Sequence, residues 1–514
     1  MKFFPHLLLL VFLGVSCKEE VQDRGNYKYS VSSWQGTDAF APQFSQAINK
    51  SRRLISESNR YSGLPGAQIA VMSNGELVWS ENFGFANLEK GKPVNANTLF
   101  RMASVSKILT AAAVGKLVEE KNLDLDKPVI HYLPSLPADY KDITTRHLVS
   151  HQSGIRHYYG IDPSSKTKHY NHPQDAMKEF IHAPLLFEPG TDVEYSTYGW
   201  TVIEAIIEQI SGKPFLSYMK DEIWKPLGMQ NTFGDIPGAR INDVTAFYIR
   251  DSPEGNWKEA PDEDLSFSWA GAGLLSNAND LVIYGNKLIN GNQLSKQISE
   301  LLFTEQITSN NMPTGFGVGF IKYDVTGLNV IGMGGNKPTA KSYLMIFPDE
   351  DVVIAYAANT SLVNFSDETV MAIAKLFILE KRNPNCFLFD RTLYPIWKGT
   401  WQIELENNTG KFDQISLHFY QNKADLEGMI LSENALPRHM EIIKMTPDSL
   451  EVLATFQANT SRIALGFENN KLTGTSYFEK PMSRFQRKEL QRKSDILRWL
   501  EPKELKGGVK LGDQ

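Results

Sequence analysis

Two pairs of strand patterns stand at opposite ends of a long helical stretch, and this constrains the fold more than any other feature of the chain. Residues 67–71 and 77–80 are apolar runs flanking Ser73-Asn74-Gly75. Asn-Gly between such runs is a turn signal, so a β-hairpin is expected, its second strand continuing through Phe83-Gly84-Phe85-Ala86. A second hairpin is expected where residues 342–347 and 352–358 flank Pro348-Asp349-Glu350-Asp351. Helix patterns fill the interval, at residues 108–118, 175–181, 200–210 and 280–288. The third places Val202, Ile206 and Ile210 on one face and ends at Gly212, a natural C-terminal stop. Further helices are expected before the first hairpin, at 43–58, and after the second, at 367–381. Hairpin, helical middle, hairpin and helix imply an α+β fold, one antiparallel sheet with helices packed on it.

After Asn383-Pro384-Asn385 the texture changes. Short alternating runs such as Thr400-Trp401-Gln402-Ile403 and Leu450-Glu451-Val452-Leu453 recur between Asn, Gly and Lys turns. They predict a small antiparallel barrel or sandwich over residues 395–490. The charged, Gly-rich residues 491–514 read as a loose tail.

The N-terminus reads as an address. Lys2 precedes an apolar stretch, residues 3–15, too short to span a bilayer comfortably, and it ends in Gly14-Val15-Ser16-Cys17. Residues 1–16 resemble the signal peptide of a bacterial lipoprotein, with Cys17 as the lipidated residue, although Gly14 stands where Leu is usual. Lys18-Glu19-Glu20 resembles the charged tag of lipoproteins exported to the cell surface. The expected location is the bacterial cell envelope, as an outer-membrane lipoprotein exposed at the surface, with residues 17–35 as a tether and the lipid as the membrane contact. The alternative is a plain secretory peptide. The other cysteine, Cys386, then has no disulfide partner and reads as passive. The net charge of −6 offers no basic surplus for a nucleic-acid backbone, so no nucleic acid is expected as a partner.

Residues 36–382 carry the chemistry. Ser104 and Lys107 stand at i and i+3 at the head of the apolar helix, so they share a face. A lysine walled in by apolar neighbours loses its proton more readily and becomes a base for a serine nucleophile. Ser-x-x-Lys alone is weak, and a second copy at Ser165 and Lys168 lies in a polar stretch with no apolar helix behind it. The copy at Ser104 has companions in order: Leu123-Asp124-Leu125-Asp126-Lys127-Pro128-Val129, His147-Leu148-Val149-Ser150-His151-Gln152-Ser153-Gly154, Phe187-Glu188-Pro189-Gly190, Tyr195-Ser196-Thr197, Trp269-Ala270-Gly271-Ala272-Gly273 and Gly334-Gly335. With them the chain resembles the serine β-lactamase-like superfamily of class C β-lactamases, penicillin-binding proteins and esterases, most of all its mitochondrial branch.

That resemblance implies a β-lactamase/transpeptidase-like domain and an extracytoplasmic serine hydrolase. Ser104, Lys107 and Tyr195 would be catalytic; Thr197, Gly334, Gly335, Asn336 and Trp269 would contact a small-molecule or peptide substrate. Tyr284-Gly285-Asn286 and Tyr420-Gln421-Asn422 fit the family's Tyr-x-Asn literally but lack the Phe-Glu-Pro-Gly lead-in. Two departures bear on substrate. Thr197 replaces the family's Asn, and Met333 stands where Lys or His is usual. Methionine offers no cation and passes no proton; Lys337 and Lys341 are the nearby candidates to replace it. The N–H groups of Ser104 and Asn336 are the expected oxyanion hole. His147 and His151 have the i, i+4 spacing of metal ligands without the companion Glu, so no metal is expected, nor any cofactor. A non-hydrolytic surface lipoprotein that binds ligand or oligomerises is the competing reading, since the mitochondrial branch forms filaments.

Overall fold

The structure is a computed structural model. It describes residues 34–478 and 503–511, apart from residues 60–62, 159–167, 253–254, 292–293, 326, 364, 407–410, 423–424, 433–434, 457–458 and 469–470. Cys17, the signal peptide, residues 17–33 of the tether and residue Ser165 of the second Ser-x-x-Lys lie outside the described residues.

The two expected hairpins pair with each other. Gly66–Ser73 and Val352–Ala358 are antiparallel neighbours, with Val352 opposite Ser73 and Ala358 opposite Ala67. Around this seam the sheet runs Trp34–Phe40, Glu76–Asn87, Gly66–Ser73, Val352–Ala358, Ala340–Phe347, Leu328–Lys337 and Ile321–Val325. Both seam strands are buried along their whole length, which requires cover on both faces. Val71 aligns with Trp79 and Ile354, and Trp79 stacks on Phe377 of the helix Asp367–Arg382. The adjacent Val353 points to the other face, where it aligns with Ile346. There Gly285 lets the helix Ala278–Asn290 lie close, because a Cβ would sit 2.6 Å from a Val353 methyl.

The helices expected in the middle form with one exception, and residues 215–227 and Lys296–Phe303 are helical without having been expected to be. The apolar helix is Val105–Glu119, buried nearly all round, as a helix enclosed by protein must be. Tyr198–Ser211 ends at Gly212, whose φ of +67° is the left-handed stop. The helix expected over 175–181 is only Pro173–Met177, after which the chain continues in turns.

The C-terminal strands close into a barrel of eight. Its last strand is Lys503–Leu511, which pairs with Gly399–Glu406 on one side and Lys471–Phe478 on the other. This corrects the reading of the final residues as a loose tail. The segment is charged because most of its side chains face water, while Leu505 alternates inward to join Trp401, Leu417, Val452 and Leu472 in the barrel core. Trp34 and Gln35, assigned to the tether, belong to the edge strand of the main sheet.

The barrel is fixed to the first helix, Ser45–Asn59, through a buried acid. Glu441 is 2 % exposed and takes Lys50 at 3.4 Å, Arg53 Nη2 at 2.8 Å and His439 Nε2 at 2.9 Å. Lys50 also donates to the carbonyl of Ile442 at 2.9 Å. Burial alone would raise the Glu441 pKa, but the Lys50 charge and the Arg53 and His439 contacts reverse it and hold the carboxyl far below its ordinary range. Removing the carboxylate strands the buried Lys50 without its counter-ion, so Glu441→Ala is expected to cost about 3–5 kcal/mol. Denaturant unfolding of the full chain tests this; a loss under about 1 kcal/mol, the size of an exposed pair, would show that the junction does not depend on Glu441.

Candidate active site

Ser104 sits where the strand Phe100–Arg101 gives way to the helix Val105–Glu119. The turn between them is tight: Ala103 has φ +44°, a left-handed conformation that strains a residue bearing a Cβ. Neighbours hold it there. Met102 N donates to the Leu274 carbonyl at 2.9 Å, and its own carbonyl accepts from Ser342 Oγ at 2.6 Å. The strand Leu328–Lys337 passes directly over this turn. A Cβ on Gly335 would lie 2.3 Å from Met102 O and 3.2 Å from Ser104 N, so only glycine fits. The outer neighbour Ile321–Val325 pairs only as far as Gly332. Residues 333–337 are therefore paired on one side alone. Asn336, exposed, follows Gly335 along that edge.

Lys107 has no solvent exposure. Its Nζ meets Gly271 O at 2.8 Å, Thr197 Oγ1 at 3.0 Å and Ser104 Oγ at 3.4 Å. None of these is a carboxylate, so no opposite charge among the described residues offsets the cost of burying the ammonium, and burial drives the lysine pKa well below its usual range. Gly271 makes the contact feasible, because a Cβ there would press within 2.7 Å of Thr197 Cγ2. Behind it, Glu204 accepts from Ala270 N at 2.9 Å and fixes the short helix Trp269–Ala272; burial raises its carboxyl to about 8.

Tyr195 Oη donates to Ser104 Oγ at 2.8 Å. Burial raises its pKa far above the usual tyrosine value, so the phenol keeps its proton. Two histidines hold the segment that carries it. Ser196 N donates to His151 Nδ1 and Thr197 N to His157 Nδ1, each at 3.1 Å. The His151 ring also lies on Tyr195, centroids 4.4 Å apart. An accepting Nδ1 requires the neutral ring. Burial lowers both pKa values, with the Lys107 charge a smaller cause, and takes His157 down to about 4.

The expected residues thus divide. Ser104, Lys107, Tyr195, Thr197 and Gly335 meet in one cluster. Gly334 lies beside it, against the Tyr343 ring. Trp269 heads the helix that offers Gly271 O, its ring edge-on to His169 at 6.3 Å. Met333 is buried in the main core. Lys337 does not stand free as a replacement cation; it pairs with Glu263 at 3.2 Å. Lys341 reaches the Val363 carbonyl at 3.5 Å. Of the two other Tyr-x-Asn tyrosines, Tyr284 donates to the carbonyl of Ile108 from inside a helix and Tyr420 to Glu427 in the barrel. The i, i+4 geometry of His147 and His151 is broken because the helix Thr145–Val149 ends between them; His147 caps it through Thr144 N.

A family model for beta-lactamase matches residues 52–375. The chain belongs to the beta-lactamase family. Among its relatives is the mouse mitochondrial serine beta-lactamase-like protein LACTB, 32 % identical in an alignment 327 positions long that covers 49 % of this chain and 59 % of that protein. The chain thus spans about three fifths of that relative. Penicillin-binding protein 4* of Bacillus subtilis is 24 % identical, over 59 % of this chain and 69 % of that protein. The fold is shared with the octameric penicillin-binding protein homologue from Pyrococcus abyssi, with a TM-score of 0.57 and 21 % identity over 89 % of this chain and all of the other. A class C beta-lactamase matches with a TM-score of 0.55 and 18 % identity over 65 % of this chain and 96 % of the other. The β-lactamase/transpeptidase-like fold expected from the motifs is therefore present.

His157 and His151 were not singled out from the sequence as anchors. His157→Phe leaves the buried Thr197 N–H without its acceptor and is expected to destabilise the protein by about 1–3 kcal/mol. In the native chain the depressed His157 pKa contributes stability that is complete above the ordinary histidine value of 6.5 and is lost as pH falls through about 4. Unfolding measured from pH 7 to pH 4 checks this; His157→Phe should show a shallower acid loss than wild type, and parallel curves would refute the assignment.

Proposed function

We propose that this chain is an extracytoplasmic serine hydrolase that works through an acyl-enzyme on Ser104. The observation that carries the reading is the pair of contacts on Ser104 Oγ, from a buried lysine that no carboxylate neutralises and from a phenol that keeps its proton. A neutral Lys107 has two N–H groups for its two nearest acceptors, Gly271 O and Thr197 Oγ1, and a lone pair left for the Ser104 hydroxyl. Ser104 Oγ attacks a carbonyl carbon while its proton passes to Lys107. The tetrahedral oxyanion is held by N–H groups of Ser104 and Asn336, which the close passage of Gly335 supports. Tyr195 relays the proton to the leaving group as the ester or amide bond breaks, and water releases the acyl product. Trp269, partly exposed at the head of the Gly271 helix, borders the substrate side; Thr197, 1 % exposed, is taken up by Lys107, and Gly334 faces Tyr343 on the opposite side of the strand from Gly335. Esters, small peptides and β-lactams all offer the required carbonyl, and the relatives include an esterase from Burkholderia gladioli and a D-aminopeptidase from Gluconobacter oxydans.

A second reading, a ligand-binding or oligomerising relative, is favoured by Met333 at the position of the family's cation, and the Pyrococcus homologue is octameric. A fluorophosphonate probe separates the two. The hydrolase reading expects one covalent adduct on Ser104, found by mass spectrometry and absent in Ser104→Ala. Equal labelling of wild type and variant, or none, overturns it.

The envelope location rests on Lys2, the apolar residues 3–15 and Ser16-Cys17. Cys17→Ser is expected to move the protein from the membrane to the soluble fraction of a bacterial host. Membrane retention unchanged by the substitution would sink the lipid anchor.

A further inference from the structure

The helix Tyr198–Ser211 buries a carboxyl that its own packing does not call for. Glu204 is 1 % exposed, and the residues beside it, Val202, Ile203, Ala205, Ile206 and Ile207, are buried and apolar. Its Oε1 is buried without a hydrogen-bond partner, and among the described residues no cation acts on it; the charge that does is another carboxylate, Glu208. Burying a carboxyl without a counter-charge costs the fold, and a leucine in that row would not. What Glu204 does in return lies in one place. Its Oε2 accepts from Ala270 N at 2.9 Å, and the Trp269 N–H also favours the carboxylate. Ala270 belongs to the short helix Trp269–Ala272, whose carbonyls face the other way, toward the helix Val105–Glu119. Ala270 O accepts from Thr110 Oγ1 at 3.0 Å, and Gly271 O from Lys107 Nζ at 2.8 Å. Contacts on the flanks, Thr201 Oγ1 to Phe267 O at 2.9 Å and Asp235 N to Gly273 O at 2.8 Å, hold the segment before and after it. The short helix itself is strung between Glu204 at its amide end and Thr110 and Lys107 at its carbonyl end. Gly271 O is also the closest of the three oxygens around Nζ, against 3.0 Å for Thr197 Oγ1 and 3.4 Å for Ser104 Oγ. Where this carbonyl stands therefore sets where the amine stands.

We propose that Glu204 is a positioning residue for the proton acceptor: by accepting the Ala270 N–H it fixes the short helix Trp269–Ala272, so that Gly271 O holds Lys107 Nζ beside Ser104. This rests on the acyl-enzyme reading of Ser104. An apolar side chain at 204 leaves the Ala270 N–H buried without its acceptor, so the short helix relaxes and Gly271 O moves with it. A displacement on the order of 1 Å at a group that takes a proton costs about a hundredfold in rate.

The test compares the full chain with Glu204→Gln and Glu204→Leu, reading the second-order rate of fluorophosphonate labelling at Ser104 as a function of pH, together with denaturant unfolding. Both variants remove the titrating carboxyl, and only glutamine keeps an oxygen for Ala270 N. Glu204→Gln should label within about threefold of wild type at the plateau of the profile. Glu204→Leu should unfold at a denaturant midpoint close to wild type, since the buried carboxyl it removes offsets the stranded N–H, yet lose about 30- to 100-fold in labelling. Its acid limb should lie at lower pH than that of Glu204→Gln, because the Lys107 ammonium loses its closest acceptor while it stays buried. The other titratable groups near Lys107, which are Tyr195, His151 and His157, are common to both variants. Labelling of Glu204→Leu within about threefold of wild type overturns the proposal. So does an equal loss in Glu204→Gln, or an acid limb that lies in the same place in both variants. If Glu204→Leu fails to fold, Glu204→Met takes its place; unfolding of both makes Glu204 a structural residue and overturns the proposal as well. Wild type that takes no label on Ser104, or is labelled no more than Ser104→Ala, marks failure of the underlying acyl-enzyme reading instead.

Discussion

The site depends on a lysine buried without a counter-ion. Moving Lys107 out of water disfavours its charged form, and only neutral oxygens are supplied in return. That arrangement needs a dry wall around the Val105–Glu119 helix, a carbonyl brought in from Gly271 and a hydroxyl from Thr197. Each requirement accounts for a nearby feature: the apolar circumference of the helix, the missing Cβ at Gly271, and the threonine where an asparagine is usual in the family. Thr197 offers Lys107 a small acceptor, which gives that substitution a place in the chemistry apart from substrate binding.

The framework that keeps the wall dry comes from pairing between distant parts of the chain. Val352–Ala358 zips against Gly66–Ser73, and the helices on either face bury both strands. The Ser104 turn is pinned between this sheet, through Ser342 and Gly335, and the Leu274 strand. Strain at Ala103 persists because contacts from three separate segments over-determine it.

Local patterns were legible in the sequence; contacts set by tertiary approach were not. Ser104 and Lys107 are one helical turn apart, so periodicity and spacing sufficed. The hairpins and long helices carry their own turn and cap signals, and residues 175–181 failed where the amphipathic pattern was short. Tyr195 was reached through family motifs, since no local rule brings it to Ser104. His151 and His157 act through ring nitrogens on backbone N–H groups some forty residues away, and a histidine used that way has no sequence signature. The strand Lys503–Leu511 was missed because a barrel strand facing water needs few apolar residues. Leu505 alone turns into the described core, while pairing on both sides supplies the rest.

The electrostatic character of the pocket follows from the same accounting. Near Ser104 the lysine is driven toward neutrality, the tyrosine keeps its proton, and the two histidines are held neutral by burial. Met333 brings no charge, and Lys337 is matched by Glu263. In the chemistry proposed for Ser104, what remains to polarise a carbonyl is a pair of fixed dipoles, the N–H groups of Ser104 and Asn336. Such dipoles cost no reorganisation when negative charge develops, and they act most strongly where water is excluded. With Met333 uncharged and buried in the core, the proton transfers proposed at Ser104 run through Lys107 and Tyr195, the two groups that touch its hydroxyl.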